Sequence, residues 1–560
     1  MPYERDRLGR VLAEECDGRT VSSAYDALGR RVRRTTPSGA VSTWTYDAAG
    51  NRTAMSASGH AFTFDFDHAG QETARYFGDA ITLTQGWDPR GRITTQTLTG
   101  RGRQLQARTY AYRPDDHLTA VTDQLNGDRA YELDAGGRVV AVEAHGWSER
   151  YAYDEAGNQT EGQWPDRHPG NDAQGERTYD HNRLITAGRI RYSYDAQGRI
   201  TTRIKNWLSR KPDVWSYEWD LQDRLTSVVT PDGTLWRYPY DPLGRRTAKE
   251  RLDVDGRTVL QRTEFAWDGS TLVEETQHVA SHPDTVTLTW DYDGQRPMAQ
   301  SEHKSPAGTA PQREIDRRFY AIVTDLVGAP RELVDETGDI AWRARSTLWG
   351  ATTWRNEDTA YTPIRFPGQY FDAETQLHYN LHRYYDPETA RHTAPDPLGL
   401  APAPNPATYV HNPHTWADPL GLSPDYITVY RKQTDHPGSQ HIKICPNGEV
   451  ALQGKQSLYV NMSNDIKHTT EYRSGQSRPD EIFAFDIPKS YLEKVRETAI
   501  PQGAPDDREG TKQDWKKCKS DKPEISDPTK GSDLYRIPAK LLDDFTANTK
   551  PNSGRIIKKM

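Results

Sequence analysis

A short frame, an aromatic residue, Asp, two variable residues, Gly, then Arg or Asn, recurs through the first three hundred residues and limits what this chain can become. It reads AYDALGRR at 24–31, TYDAAGNR at 45–52, DFDHAGQE at 65–72 and GWDPRGRI at 86–93. Further copies are LDAGGRVV at 133–140, AYDEAGNQ at 152–159, SYDAQGRI at 193–200 and PYDPLGRR at 239–246. The aromatic falls at 25, 46, 66, 87 and 112, and weaker copies run on through Trp219, Tyr240, Trp267 and Trp290, a period of about 21 residues. Each unit holds two alternating runs, such as VSTWTYD and NRTAMSA, joined by Asp-x-x-Gly. That is strand, turn, strand, with Asp opening the turn and glycine at the position of positive φ. One hairpin cannot bury a face alone, so neighbouring hairpins must stack into a continuous sheet. A β-propeller is the competing architecture, but its blades need about 40 residues each. The shorter period suits two strands per unit in a long spiral.

Composition agrees. Hydrophobic residues make up only 34% of the 560, which with 27% charge would suit a disordered chain, yet aromatics reach 10%, led by 29 Tyr and 15 Trp. Disordered chains are poor in such rings, and a large all-β surface uses them. The net charge of −8 excludes a protein that coats nucleic acid along its whole surface. Cys16, Cys445 and Cys518 form no CxxC, so neither a disulfide framework nor a cysteine zinc site is expected, and no metal is predicted. The start, MPYERDRLGR, lacks an apolar signal core, and no run approaches the length of a membrane span. Because the repeat is already under way at residue 3, a natural N-terminal module is expected to precede this sequence.

The frame resembles the repeat of the Rhs/YD-repeat family, whose members build a hollow β-cocoon from it. The resemblance covers roughly residues 3–422. After residue 315 the repeat gives way to a denser segment containing IRFPGQYFD, LHYNLHRYYDP and APDPLGL, which resemble the Rhs-associated core domain that plugs one end of the cocoon. One departure stands out: the family usually has Gly-Arg-aromatic after YYDP-x-x, and this chain has Ala390, Arg391 and His392.

The pentapeptide DPLGL occurs twice, at 396–400 and 418–422. Proline after each Asp forces an extended or turn conformation on it, and two Asx-turns that merely end strands would account for both. The family resemblance implies more: similar Rhs proteins cut themselves after the second copy, here between Leu422 and Ser423. Such chemistry needs two carboxylates sharing one proton, one activating water and the other protonating the scissile carbonyl. The repeated motif offers Asp396 and Asp418, with Asp386 as the rival for one role. Arg391 and Arg383 stand close by in sequence as oxyanion or carboxylate partners.

Behind the second DPLGL the composition changes. Residues 1–422 hold 45 Arg and 4 Lys; residues 423–560 hold 7 Arg and 16 Lys, and net charge moves from −11 to +3. No fold demands that switch, whereas a joined module of different origin explains it. In the Rhs family this position holds a variable toxin, packed in the cocoon and released in a target cell. The expected layout is a repeat shell at 1–314, a core domain (plug and autoprotease) at 315–422 and a C-terminal toxin domain at 423–560. The fold class is mainly β, a YD-repeat β-cocoon of stacked hairpins, followed by an α+β domain.

The tail reads as strands at 426–432, 441–444, 449–452, 457–462 and 481–488, helices at 490–498 and 537–549, a long loop at 500–533 and a trailing lysine-rich end, GRIIKKM. This order resembles an ADP-ribosyltransferase. The resemblance implies NAD as substrate, Arg431 on the first strand as its binding cation, Tyr459 and Ser463 on the middle strand, and a Glu for the ribosyl cation. Glu524 and Glu497 are the choices for that Glu, though no ExE or QxE string announces it. A metal-independent ribonuclease is the alternative, with His436, His441 and His468 as acid and base and Lys443 and Lys467 holding phosphate. A third reading is a YD-repeat adhesion protein with a binding module and no toxin activity. The resemblance further implies a secreted protein, a delivery module such as a type VI secretion spike and a cognate immunity protein. The tail would be delivered to the target-cell cytoplasm to meet a protein or an RNA there.

Overall fold

The computed structural model describes residues 3–422 apart from 49, 51, 69, 115–116, 208, 306–316 and 401–404; of the tail it describes 426–434, 441–444, 450–453, 458–461, 480–488, 500–501, 524–525, 534–537 and 555–559. By internal contacts the chain divides into two units, 1–400 with 404–423, and 401–403 with 424–560.

The first unit is dominated by one sheet of 31 strands, running from Tyr3–Arg5 to Ile340–Arg343. Each strand pairs antiparallel with the next. The repeat dictates this residue by residue, and the turn at 26–30 shows how. Gly29 donates its N–H to the Asp26 carbonyl at 3.0 Å, and Asp26 N–H donates to the Arg30 carbonyl at 2.9 Å, closing a tight hairpin loop. Gly29 sits at φ 84°, where a side chain would strain the backbone. The Asp26 carboxylate accepts from the N–H groups of Leu28 and Arg30 and from Arg30 Nε at 2.7 Å. Arg30 then reaches one repeat onward, donating from Nη1 to the Asp47 carbonyl at 3.0 Å. The Tyr46 ring covers the same guanidinium at 4.8 Å, and its hydroxyl donates back to the Arg31 carbonyl at 2.8 Å. The aromatic follows a register shift in the ladder, a bulge that adds twist. Every letter of the frame thus has a hydrogen bond or a conformation to supply, repeated at Asp134–Arg138, Asp195–Arg199 and Asp220–Arg224.

The sheet coils back on itself. Arg19 Nη1 meets Glu264 Oε2 at 2.9 Å, Arg34 Nη2 meets Asp291 Oδ1 at 2.7 Å, and Arg108 pairs with Glu332, partners 224 to 257 residues apart. Strands carry on past residue 315 as Arg317–Thr324, Pro330–Asp335 and Ile340–Arg343 before the meander ends.

A small antiparallel sheet follows: Tyr370–Asp372, Leu377–Asn380, Arg383–Asp386 and Arg391–His392. Its residues are almost wholly buried, and charged groups bolt it to the large sheet. Arg246 donates to Asp372 at 2.6 and 3.0 Å, Arg203 to the Thr375 carbonyl at 2.7 Å, and Arg177 to the Glu388 carbonyl at 2.8 Å. One apolar cluster runs through both, from Ile93 to Val410, with Trp290, Trp342 and Tyr385 fully buried.

The second unit carries a seven-stranded sheet in the order 500–501, 524–525, 534–537, 458–461, 426–434, 480–488, 555–559, and a hairpin of 441–444 with 450–453. Val429, Val460, Ile487 and Ile537 are its described buried residues on this sheet. The five expected strands are present, but three expectations change. GRIIKKM does not trail: Arg555–Lys559 pairs with 480–488. The expected loop at 500–533 contributes strand pairs at 500–501 and 524–525. Ile537, expected to begin a helix, ends the strand Leu534–Ile537. The remainder of that helix and the one at 490–498 lie outside the described residues, so the described tail is strand alone. Among the described residues no helix is long and apolar enough to cross a membrane.

Candidate functional site: two carboxyls on one guanidinium

Both copies of DPLGL fold as turns built like those of the repeat. Asp396 accepts from Leu398 N–H at 2.8 Å through Oδ1, and its carbonyl accepts from Gly399 N–H at 2.8 Å. Asp418 accepts from Leu422 N–H at 2.9 Å, also through Oδ1. Gly399 and Gly421 lie at φ 69° and 68°. At Gly421 space is closed as well, since a Cβ there would stand 2.4 Å from the Asn380 carbonyl oxygen.

Each turn leaves the other carboxylate oxygen aimed at Arg383. Its Nη2 lies 2.8 Å from Asp396 Oδ2 and 3.4 Å from Asp418 Oδ2. Nη1 donates to the Pro406 carbonyl at 2.8 Å and Nε to the carbonyl of Gly421. One side chain thereby ties both DPLGL turns and the excursion between them. Asp396, Asp418 and Arg383 are all buried, at 7%, 2% and 2% exposure. Burial raises the Asp396 carboxyl above its ordinary value, with Arg383 and the Leu398 N–H pulling the other way. Burial likewise lowers Arg383 against the pull of the two aspartates. A buried set of one guanidinium and two carboxyls is neutral only when the pair carries one proton, the protonation state that acid–base hydrolysis requires.

His392 completes the enclosure. Its Nε2 stands 3.7 Å from Asp418 Oδ2, and Nδ1 lies 3.3 Å from the Thr408 carbonyl oxygen. Desolvation and the neighbouring Arg383 push its pKa well below the usual imidazole value, so the ring is neutral and the contact with Asp418 is no ion pair. Two cavities of the first unit, about 240 and 880 Å³, are lined by other residues.

The two remaining sequence candidates are placed elsewhere. Arg391 donates to Asn158 Oδ1 at 2.6 Å and to the Asn182 carbonyl, and lies 5.1 Å over the Tyr179 ring. It ties the small sheet to the large one and does not reach the carboxyl pair. Alternation is the reason: Arg391 and His392 are adjacent on one strand and face opposite ways. Asp386, three residues from Arg383 on its strand, accepts from Glu388 N–H at 2.9 Å and from the Tyr192 hydroxyl at 3.4 Å. The sequence marked His392 only as a departure from the family's aromatic at that place and gave it no role. Its pairing with Tyr385 in the ladder is what brings it over Asp418's side of the sheet.

In the tail, Arg431 lies on the strand Tyr426–Thr434, between 458–461 and 480–488 in its sheet, and burial lowers its guanidinium to about 10. Tyr459 and Glu524 stand opposite Arg536 in successive strand pairs. His441 and Lys443 are on the strand His441–Ile444. Ser463, Glu497, His436, His468 and Lys467 lie outside the described residues, as does Ser423.

Comparison with known proteins places this chain in a lineage. Residues 78–407 match the family model described as Teneurin YD-shell, and 5–41 and 25–61 match the RHS Repeat model. The chain is 31% identical over 439 residues to the double-stranded DNA deaminase toxin A of Burkholderia cenocepacia, covering 74% of this chain and 30% of that protein. It is 29% identical over 440 residues to the probable deoxyribonuclease RhsB of Dickeya dadantii (73% and 28%). It is 30% identical over 478 residues to toxin protein Tse5 of Pseudomonas aeruginosa (74% and 35%). The chain therefore spans about a third of the length of these relatives. Among solved structures, the Tc holotoxin pore of Photorhabdus luminescens shares its fold at a TM-score of 0.59 and 18% identity, over 72% of this chain and 21% of that one.

Proposed function

This chain belongs to the YD-shell family with Rhs repeats, and from that premise we propose that it is a polymorphic toxin that hydrolyses its own Leu422–Ser423 bond and thereby frees residues 423–560 as the effector. The observation that carries the reading is the convergence of Asp396 and Asp418, from the two DPLGL turns, on one buried guanidinium. Four residues separate Asp418 from the bond, and its own carboxylate holds the Leu422 N–H. One carboxylate takes a proton from water as the oxygen attacks the Leu422 carbonyl carbon. The other, kept neutral, donates to the carbonyl oxygen. The site's own contents, two aspartates and an arginine, support the reading of an aspartyl-type autoprotease.

For the freed tail we propose ADP-ribosyl transfer from NAD to a target-cell macromolecule. Arg431 supports it: a half-buried cation on an interior strand suits the anionic pyrophosphate of NAD, with Tyr459, Ser463 and Glu524 assigned as in the sequence reading. A ribonuclease or another nucleic-acid enzyme is the second reading. It is favoured by relatives named as a DNA deaminase and a deoxyribonuclease, and by the +3 charge of the tail. Secretion, a delivery module and a cognate immunity protein belong to the same proposal.

Intact-mass analysis of the purified chain tests the cut. A fragment beginning at Ser423, absent from Asp396→Asn and Asp418→Asn chains, is expected; a single full-length mass in the unaltered chain after long incubation refutes it. Expression of residues 423–560 in bacteria tests the effector, and unimpaired growth sinks the toxin reading. Loss of toxicity in Arg431→Ala but not His441→Ala marks the transferase, and the reverse marks the nuclease.

A further inference from the structure

The histidine beside the carboxyl pair distinguishes the two carboxyls. His392 is buried, at 4% exposure, between strand and turn. The groups facing it are Arg383 from the preceding strand, Asp418 from the second DPLGL turn, and the rings of Tyr385 and Tyr409 at 5.9 and 5.8 Å. Arg391, next to it in sequence, turns away to Asn158. Asp396 is held by Arg383 and also feels His382.

A carbonyl oxygen can only accept, so the 3.3 Å contact with Thr408 fixes the imidazole hydrogen on Nδ1. Nε2 of the neutral ring then presents a lone pair, has no hydrogen-bond partner, and points at Asp418 Oδ2 from 3.7 Å. Two buried lone pairs facing each other repel. A proton on Asp418 turns that conflict into a hydrogen bond, and a small rotation of either side chain closes the remaining gap. Among the described residues Asp396 has no imidazole nitrogen within ion-pair distance, His382 acting on it only from farther away, and it makes the shorter contact with Arg383, 2.8 against 3.4 Å.

We propose that His392 is a positioning residue for self-cleavage, accepting a hydrogen bond from protonated Asp418 and so making Asp418 the general acid and Asp396 the general base. The inference rests on the autoproteolysis reading. Water oxygen attacks the Leu422 carbonyl carbon, a water proton passes to Asp396, and the Asp418 proton passes to the carbonyl oxygen. In the collapse that follows the carbon–nitrogen bond breaks. Asp396 returns its proton to the Ser423 nitrogen, and one hydroxyl proton returns to Asp418. The products are a Leu422 carboxyl group and a Ser423 amine, with one water consumed.

The test follows cleavage of the full chain, made by cell-free synthesis and shifted into buffers from about pH 5 to 10, by intact mass. His392→Phe keeps a ring against Tyr385 and Tyr409 and removes the acceptor. His392→Gln places an amide oxygen near the Nε2 position, and His392→Asn near the Nδ1 position. Losing the acceptor destabilises protonated Asp418, so the alkaline limb of the pH–rate profile moves down by about one unit in His392→Phe, a tenfold slower rate above it. His392→Gln restores the limb and His392→Asn does not. An unchanged profile in folded His392→Phe overturns the proposal and leaves autoproteolysis standing. If that chain does not fold, the amide pair decides, and equal profiles or the reverse order overturn it. No cleavage in the unaltered chain removes the autoproteolysis reading, and this inference with it.

Discussion

Aspartate and arginine are paired in two regions of this molecule under opposite conditions. In the hairpin turns the pairs are local, four residues apart, and mostly open to water: Asp134–Arg138 at 2.7 Å and Asp220–Arg224 at 2.6 Å keep 23 to 26% of their side-chain surface, with Asp241–Arg245, at 1% and 3%, the dry exception. In the small sheet they are long-range and dry. Arg246 and Asp372 are 126 residues apart with no exposed side-chain surface, and Arg383 and Asp396 keep 1% and 4%. The turn pairs fix a conformation, and water compensates either partner if the other is lost. The dry pairs hold charges that nothing else compensates, so each commits the protein to a protonation state. Repetition makes the first kind dispensable one at a time. The second kind is where chemistry can be stored.

The sharpest way to break this comparison is to remove one acid from each region. Asp372 meets both Nη atoms of Arg246 and, at 3.1 Å, Lys249 Nζ. Asp372→Asn leaves two buried cations facing Glu374 alone, and a loss of about 3–5 kcal/mol is expected in denaturant unfolding. Asp220→Ala, which removes a turn clip, is expected to cost about 1 kcal/mol. Equal losses would erase the distinction.

Glycine gives the next contrast. Gly157 and Gly421 hold the same turn conformation, at φ 79° and 68°. A Cβ on Gly157 meets nothing within 4 Å, so Gly157→Ala carries backbone strain alone, about 1–2 kcal/mol. At Gly421 the methyl would collide with the Asn380 carbonyl oxygen and displace the carbonyl that Arg383 holds. Gly421→Ala is therefore expected to cost more in the thermal midpoint and to slow self-cleavage, while Gly157→Ala leaves cleavage unchanged.

The two regions were also unequally legible in the sequence. The turns announce themselves because each position performs a local task that few residue types can do. Asp must accept from two N–H groups, Gly must take positive φ, Arg must clip the Asp, and an aromatic must cover the Arg. The carboxyl pair was readable only because its turn was spelled twice. Its arginine was not: Arg391 is the nearer in sequence, yet the fold turns it to Asn158 as an anchor of the sheet and gives Arg383 to the pair. His392, on a two-residue strand, shows in the sequence only as a histidine where the family usually has an aromatic, a departure that does not by itself point to the carboxyl pair. The strand Arg555–Lys559 was hidden for a related reason, since its partner at 480–488 lies far back in the chain and an apolar pair among lysines reads as a tail.

The smallest effect expected is also the one that separates the regions by sign. In the turns, burial acts to raise the carboxyls of Asp134, Asp195 and Asp220, but the backbone and guanidinium hydrogen bonds from the following arginine outweigh it and hold them below the ordinary aspartate value. Such groups contribute stability that is present above the unfolded-state pKa and lost as pH falls through the lower folded one, so the turns weaken below about pH 4. Where the large sheet meets the segment after it, Glu149 is buried, at 1% exposure, and accepts from Leu348 N–H at 2.8 Å. Burial pushes its carboxyl up to about 6, against that N–H and the Tyr151 hydroxyl. Its contribution has the opposite sense: full below the unfolded glutamate value, and lost as pH rises through about 6. Over the same range the buried neutral imidazoles of His378, His392 and His414, held below the ordinary value by desolvation, lose stability as the pH falls, so the Glu149 contribution is read as a difference between two chains. Between neutrality and about pH 5 the unaltered chain should gain stability relative to Glu149→Gln, which fixes the neutral form, by less than about 2 kcal/mol. A difference between the two chains that does not change over this range would mean that the buried carboxyl follows the same electrostatics as the turns.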